Sequence, residues 1–430
     1  MGLQGLLFIS LLLFSFPTSE ADPGSYRRRN YPAKSAVLNG KENTVEELAS
    51  DEVTASDLEL VNVANYGAKG DGSDATEAFN NGWKKVCSSS SSAALMVPAN
   101  ENYLLKPIIF SGPCRSNVSV MIKGTLQASS DQSDWDGADG RHWILFAGIN
   151  NLHVAGGGTI NGNGQIWWKN SCKINKSLPC KDAPTAITFY STSNLVVENL
   201  KVTNSQQIHV QFEKCTNVRA SHLTINSPSN SPNTDGIHIT STRDINIDHC
   251  NIGTGDDCIS IVNGAQTVKA MNIACGPGHG ISIGSLGAQN SEDHVSDVTI
   301  DTAQLTGTTS GLRIKTWQGG KGYARHIRFQ NVNMKNVQNP IVIDQNYCDS
   351  EKPCYEQKSA VLVSDVTYKN IKGTIASDTK IDFKCSKSVP CQEITLEDIN
   401  LVKADGGITK SSCSNVRWSQ KGVLSPSTCA

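Results

Sequence analysis

Short triplets with an apolar residue on either side of a variable one recur along the middle of the chain. They are centred on Thr188, Gln211, His238, Ser260, Ser282, Arg313 and Val342, at intervals of 22 to 31 residues. Alternation with period two marks a strand with one buried face. A strand returning at that interval marks a solenoid, in which each turn buries its apolar face against the next. A second series keeps phase with the first: Leu195-Val196-Val197, Val218-Arg219-Ala220, Ile245-Asn246-Ile247, Val295 to Val298 and Ile394-Thr395-Leu396. These segments are rich in β-branched residues and are bounded by Asn, Gly and Ser, which favour turns. Two or three short strands per turn, with few helical stretches, predict an all-β chain folded as a single right-handed parallel β-helix. Leucine-rich repeats are the rival solenoid, but the Leu-x-x-Leu-x-Leu spacing and a helix in every repeat are missing.

One helical pattern stands out near the start of the coil. Over Asp74–Val86, Ala78, Phe79, Trp83 and Val86 gather on one face, with Asp74 as the expected N-cap and Lys84 and Lys85 in the last turn. It is expected to cap the first turn, whose strand edges would otherwise be open to pairing with another chain. Upstream, Leu3 to Phe16 is an apolar run followed by Ser19-Glu20-Ala21, so residues 1–21 read as a secretory signal peptide. Residues 22–57 carry Arg27-Arg28-Arg29, Pro32 and an acidic stretch but no repeat, and read as a removable pro-segment. The parallel β-helix is expected to span 58–430 as one domain.

Composition narrows the class. No apolar run after the N-terminus is long enough to span a bilayer, and a net charge of −2 argues against a broad nucleic-acid surface. Fourteen cysteines fit a secreted, extracellular protein. Cys172/Cys180, Cys348/Cys354, Cys385/Cys391 and Cys413/Cys429 read as loop clips, Cys258/Cys275 as a tie between turns, and Cys87/Cys114 as a tie from the helix to the coil. Cys215 and Cys250 are left over, paired or free. Cysteine spacing suits no zinc tetrad. Asn117-Val118-Ser119 and Asn175-Lys176-Ser177 are glycosylation sequons.

The candidate chemistry sits on the repeat. Ile237-His238-Ile239, Ile259-Ser260-Ile261 and Ile281-Ser282-Ile283 are each preceded at the same offset by a titratable group: Asp235, Asp257 and His279. Stacked as successive turns, these groups form a ladder with a rung spacing of about 4.8 Å, with Asp256 beside the middle rung. Arg313 and Lys315 follow on the next turn and, two apart on a strand, face the same side. Carboxylates, an imidazole and a pair of cations in one cleft point to cleavage of an acidic polymer. Three carboxylates crowded together cannot all ionise cheaply, so at least one should hold its proton above the usual range.

The blocks Ser231-Pro232-Asn233-Thr234-Asp235-Gly236, Gly255-Asp256-Asp257-Cys258, Gly278-His279-Gly280-Ile281-Ser282-Ile283-Gly284-Ser285 and Arg313-Ile314-Lys315 resemble, in order and spacing, the signature blocks of the polygalacturonases. These are the pectin-degrading members of glycoside hydrolase family twenty-eight. Val61 to Gly72, Gly156 to Trp168 with Cys172 to Cys180, and Gln345 to Cys348 are similar to the plant endo-acting members. The resemblance implies an inverting hydrolysis of homogalacturonan with Asp256 as proton donor, Asp235 and Asp257 holding and activating water, and His279 assisting the acid. It further implies Asn233, Arg313, Lys315 and Tyr347 as substrate-binding residues. No cofactor or metal is implied. The expected partners are pectate itself and polygalacturonase-inhibiting proteins, with the enzyme a monomer in the cell wall.

Other readings remain at this point. An exo-acting or rhamnogalacturonan-cleaving enzyme of the same family would share the blocks. A calcium-dependent pectate lyase would share the coil and use clustered carboxylates as cation ligands, but it would give His279 no role. A silent pectin-binding protein would not need all three carboxylates. His209, His222, His249, His294 and His326 are assigned to structure, whereas His238 is near enough to the ladder to meet a substrate.

Overall fold

The structure, a computed structural model, describes residues 58–137, 140–350 and 354–425. The expected signal peptide at 1–21 and pro-segment at 22–57 lie outside these residues. Within them the chain winds as a right-handed parallel β-helix. One sheet of eleven strands runs from Ile108–Ser111 to Lys410–Ser414 in chain order. Its register is the one the triplets predict: Thr188 lies beside Gln211, then His238, Ser260, Ser282, Arg313 and Val342. On a second face Val196, Arg219 and Asn246 align, followed by Lys269, Thr299 and, further on, Thr395. A third face, aligned through Val202, Ile225 and Ile252, had no separate sequence signal. It merges with the second in the long strands Gln266–Cys275 and Glu292–Thr306.

The core is a set of vertical columns. Phe110, Phe146, Phe189 and Phe212 stack at centroid distances of 4.9, 5.4 and 5.5 Å. Ile239, Ile261, Ile283 and Ile314 continue that column beneath the candidate site, all buried. Each such isoleucine contributes about 1.5–3 kcal/mol by leaving water. The first coils, with strands at Ile108–Ser111 and His142–Ala147, were not legible as repeats. Longer insertions separate them from the next strand and break the period.

The corner between the second and third faces is turned by a single residue with positive φ in each coil: Asn199, His222, His249, Asn272, Thr302, Asn331, Asn370 and Asp398. Short polar side chains tolerate the left-handed region best, which accounts for the asparagines that bound the strands. His222 and His249 belong to this column and stack at 5.2 Å, so their role is structural, as expected.

The capping helix spans Thr76–Ser88, two residues later than expected. Asp74 is held extended by pairing with Leu104, which leaves Ala75 at the N-cap. Its carboxylate still accepts from the Thr76 amide at 2.9 Å and the Thr76 hydroxyl at 2.6 Å. Phe79 packs on Tyr103 and Trp83 on Phe110, and Cys87–Cys114 ties the helix to the coil. The clips Cys172–Cys180, Cys348–Cys354 and Cys385–Cys391 form, as does Cys258–Cys275. The expected partner of Cys413, Cys429, lies outside the described residues. Cys215 and Cys250 are buried free thiols, each pushed up to about 11 by burial. Asn117 and Asn175 of the two sequons are both exposed.

Candidate active site

The strands Ile237–Thr240, Ile259–Ile261, Ile281–Leu286 and Ser310–Trp317 point alternate side chains inward and outward. Isoleucines and leucine anchor each strand, which leaves His238, Ser260, Ser282 and Arg313 as one outward row. The turns just before the strands carry the acids. Glycine is required where these turns touch: a Cβ on Gly255 would lie 1.9 Å from the Ser231 carbonyl oxygen. Gly280, at φ +82°, would place one 2.2 Å from the Ser310 carbonyl oxygen. The buried Thr234 hydroxyl accepts from the Gly255 amide and donates to the Ser231 carbonyl, each at 3.0 Å, locking the Asp235 turn to the Asp256 turn.

Asn233, Asp235, Asp256, Asp257, His279, Arg313, Lys315 and Tyr347 all line one cavity of about 670 Å³. Within it the three carboxylates have different surroundings. Asp257 is buried and fully engaged: Arg313 Nη2 lies 2.7 Å from Oδ1, Lys315 Nζ lies 2.9 Å from Oδ2, and the Ser282 hydroxyl donates at 2.7 Å. Burial disfavours the charge on Arg313 and Lys315, but Asp257 outweighs it and holds both above their ordinary values. The sequence reading set this pair free for a substrate carboxylate. The structure instead shows it bound to Asp257, because a buried carboxylate draws the nearest cations. Lys315 also lies over the Tyr347 ring, 5.4 Å from its centre.

Asp256 pairs with the imidazole, Oδ1 to Nδ1 of His279 at 2.9 Å, and accepts from the Asp257 amide at 2.8 Å. Burial opposes its charge, but the His279 hydrogen bond and charge, with Lys315, outweigh that and hold the carboxyl below its usual range. The same hydrogen bond raises His279, against burial. Asp235 goes the other way. Burial first, then the neighbouring charge of Asp256, raises it, with His238 opposing. Its Oδ2 accepts from the Ser260 hydroxyl at 2.6 Å. The crowded carboxyl expected to keep its proton is therefore Asp235 in the substrate-free protein, while Asp256 shares one proton with His279.

Several contributors were not picked out from the sequence. Ser260 and Ser282 bind the carboxylates, and their outward positions in the triplets were the available signal. His209 is buried beneath Asp235, with Nδ1 2.9 Å from the Asp235 carbonyl and Nε2 2.8 Å from the Ser227 hydroxyl. A carbonyl only accepts, so Nδ1 carries the proton, and burial holds the ring neutral with a pKa of about 4. Lys173, Gln207 and Asp349 line the cavity from loops that have no repeat to reveal them. His238, by contrast, was placed near the ladder by the sequence, and it does line the cavity, with Nδ1 2.7 Å from the Ser260 hydroxyl.

Donor atoms of Asp256, Asp257 and His279 lie within 4.8 Å of one another. As a seat for a hard dication they fit poorly, since each oxygen of Asp257 already faces a cation and Nδ1 of His279 faces Asp256.

The pattern for Glycosyl hydrolases family 28 matches residues 87–429. The chain belongs to that family. This family 28 chain is 55% identical over 377 residues to Polygalacturonase-2 of Solanum lycopersicum, covering 87% of the chain and 82% of the relative. It is 47% identical over 424 residues to Polygalacturonase ADPG1 of Arabidopsis thaliana, covering 98% and 96%. Among solved structures, the polygalacturonase from Erwinia carotovora superposes with a TM-score of 0.69 at 27% identity, over 88% of this chain and 99% of that one.

Proposed function

We propose that the protein hydrolyses the α-1,4 bonds of de-esterified homogalacturonan, acting within the polymer, as a secreted monomer of the plant cell wall. The observation that carries this reading is the Asp257–Arg313–Lys315 cluster set beside Asp235 and Asp256 in one cleft. A galacturonate carboxylate entering beside Arg313 and Lys315 competes with Asp257 for them, so binding an acidic sugar frees a carboxylate next to the scissile bond. The plant relatives named above support the substrate class. For internal cleavage, the catalytic cavity shares Lys173, Gln207, Pro232, Asn233 and Asp349 with a second cavity, so the polymer has room to continue. Docking of an inhibitor protein over this cleft belongs to the same reading.

In this mechanism Asp256 protonates the departing glycosidic oxygen, and Asp235 and Asp257 hold and deprotonate water on the opposite face of the sugar ring. The Asp256–His279 pair is the proton store. With the proton on Nδ1, Asp256 is an ionised acceptor; transfer along the 2.9 Å hydrogen bond makes it the acid. Protonation of Asp256 from His279 removes the neighbouring charge that helps to raise Asp235, whose proton then passes to solvent, leaving Asp235 as a base.

The pH dependence follows from His279. Its pKa in the folded protein is raised above 6.5, so the pair is loaded at and below that pH and empties as pH rises through the raised value. The stability contributed by His279 has the same sign, fully present below about 6.5 and lost as pH rises through the raised value, whereas that of Asp256, held low, is lost as pH falls through its lowered value. His279→Asn leaves Asp256 to hold the proton alone, so the alkaline limb of kcat/KM should move down by at least about one unit. An unmoved limb would remove His279 from the proton path.

The reading is tested by incubating the protein with polygalacturonic acid at mildly acidic pH, with and without chelator. New reducing ends, a fast fall in viscosity, no ultraviolet absorbance from unsaturated products and no chelator effect are expected. Reducing ends with constant viscosity would mean exo action, and absorbance abolished by chelator would mean a lyase.

A further inference from the structure

Beside the catalytic cleft lies a cavity of about 730 Å³ of different character. Trp135, Trp167 and Trp168 line it, with Trp135 and Trp167 edge to face at 5.4 Å. Only Trp168 has its indole N–H engaged, on the Ser205 carbonyl at 3.1 Å. The buried Nε1 atoms of Trp135 and Trp167 have no hydrogen-bond partner in the protein. Neither do the amide oxygen and nitrogen of Gln206, whose side chain borders the same cavity and is 1% exposed. Four buried polar atoms without partners, gathered around one indole-lined space, are costly to folding unless something else meets them.

What distinguishes this cavity from the cleft is the lack of a buried cation among its lining residues. Lys173, on the loop clipped by Cys172–Cys180, is paired at 2.5 Å with Asp349, beside the clip Cys348–Cys354, where the two cavities meet. Asp182 is paired with Arg141. Of the charged groups lining the cavity three are acidic, Asp136, Asp182 and Asp349, and two are basic, Lys173 and Lys181. With Asp182 held by Arg141 and Asp349 by Lys173, only Asp136 and Lys181 are left to offset each other, so a free galacturonate carboxylate would find there no net positive charge and no buried cation like Lys315. Indole faces, two N–H donors and an amide that both donates and accepts suit hydroxyls and an ester carbonyl instead.

We infer that this cavity is a binding subsite for an uncharged saccharide unit of the same polymer, a methyl-esterified galacturonosyl residue, next to the subsite that demands a free acid. The inference rests on the hydrolase reading above. It makes the protein an enzyme that cuts where a free galacturonate lies near an esterified one, the Lys173–Asp349 pair standing between the two kinds of subsite.

The test compares wild type with Gln206→Leu and Trp167→Ala on polygalacturonic acid and on the same polymer about half methyl-esterified at random. Gln206→Leu removes an amide without a partner, so thermal unfolding should show a folded protein no less stable than wild type. The ratio of kcat/KM on esterified to acidic polymer should fall about tenfold in each variant. A ratio within about twofold of wild type in both would overturn the inference. A wild type inactive on both polymers would instead be a failure of the hydrolase reading, and binding then decides the subsite alone. Indole fluorescence titrated with fully methyl-esterified trigalacturonate should change saturably in wild type and more weakly in Gln206→Leu. No change, or a stronger response to the acidic trisaccharide, would overturn it.

Discussion

Asp256→Asn is expected to lower kcat on polygalacturonic acid by about 10³-fold or more while leaving the fold intact. General acid catalysis by a positioned carboxyl is worth about 10²–10⁴-fold, and an amide has no proton of suitable acidity to give. The structural contacts survive the change. An asparagine Oδ1 still accepts from the Asp257 amide and from His279, the two bonds the carboxylate makes. Unfolding should therefore move by no more than about 1 kcal/mol. A variant that turns over pectate at the wild-type rate would remove Asp256 from the acid role. One that fails to fold would show that the charge, not the hydrogen bonds, holds the turn.

Asp257→Asn should look alike in activity and opposite in stability. Asp257 is the shared counter-ion of Arg313 and Lys315; Asp257 and Lys315 are buried and Arg313 half-buried. Neutralising it leaves two like charges in a poorly solvated cleft and turns an N–H₂ toward one of them. Breaking a buried ion pair from one side costs about 3–5 kcal/mol, so denaturant midpoints should fall markedly, with kcat also reduced. The two variants differ by a single position in the chain, yet only one carries a structural load. Equal stability for both would mean that solvent or an anion compensates Arg313 and Lys315, and that they are more open than the geometry implies.

The contrast shows what could be read from the chain. Strand register was legible because the coil is built from local repeats: Asp235, Asp257 and His279 precede matching triplets, and matching triplets stack. The row Ser260, Ser282 and Arg313 was implicit in the same alternation. What escaped was everything that depends on how charges choose partners in three dimensions. Arg313 and Lys315 read as a clamp awaiting substrate because sequence shows that they share a face with the acids but not that Asp257 lies buried between them. The unequal proton affinities of Asp235 and Asp256 likewise come from burial and from His279, not from spacing. Loop residues such as Lys173 and Asp349, 176 positions apart, belong to no period and could be joined only in space. The helix start at Thr76 was misplaced because strand pairing at Asp74 overrode the capping preference.

The placement of the acids along the stack has a further consequence. In the eleven-stranded sheet, four strands precede Ile237–Thr240 and three follow Ser310–Trp317. Coils in a solenoid lean only on their neighbours, so melting proceeds inward from the ends. Terminal coils can fray, exchange their amides or be nicked by proteases while the central coils keep their register. Loss of structure and loss of catalysis are thus separate events on heating, with activity the later of the two to go.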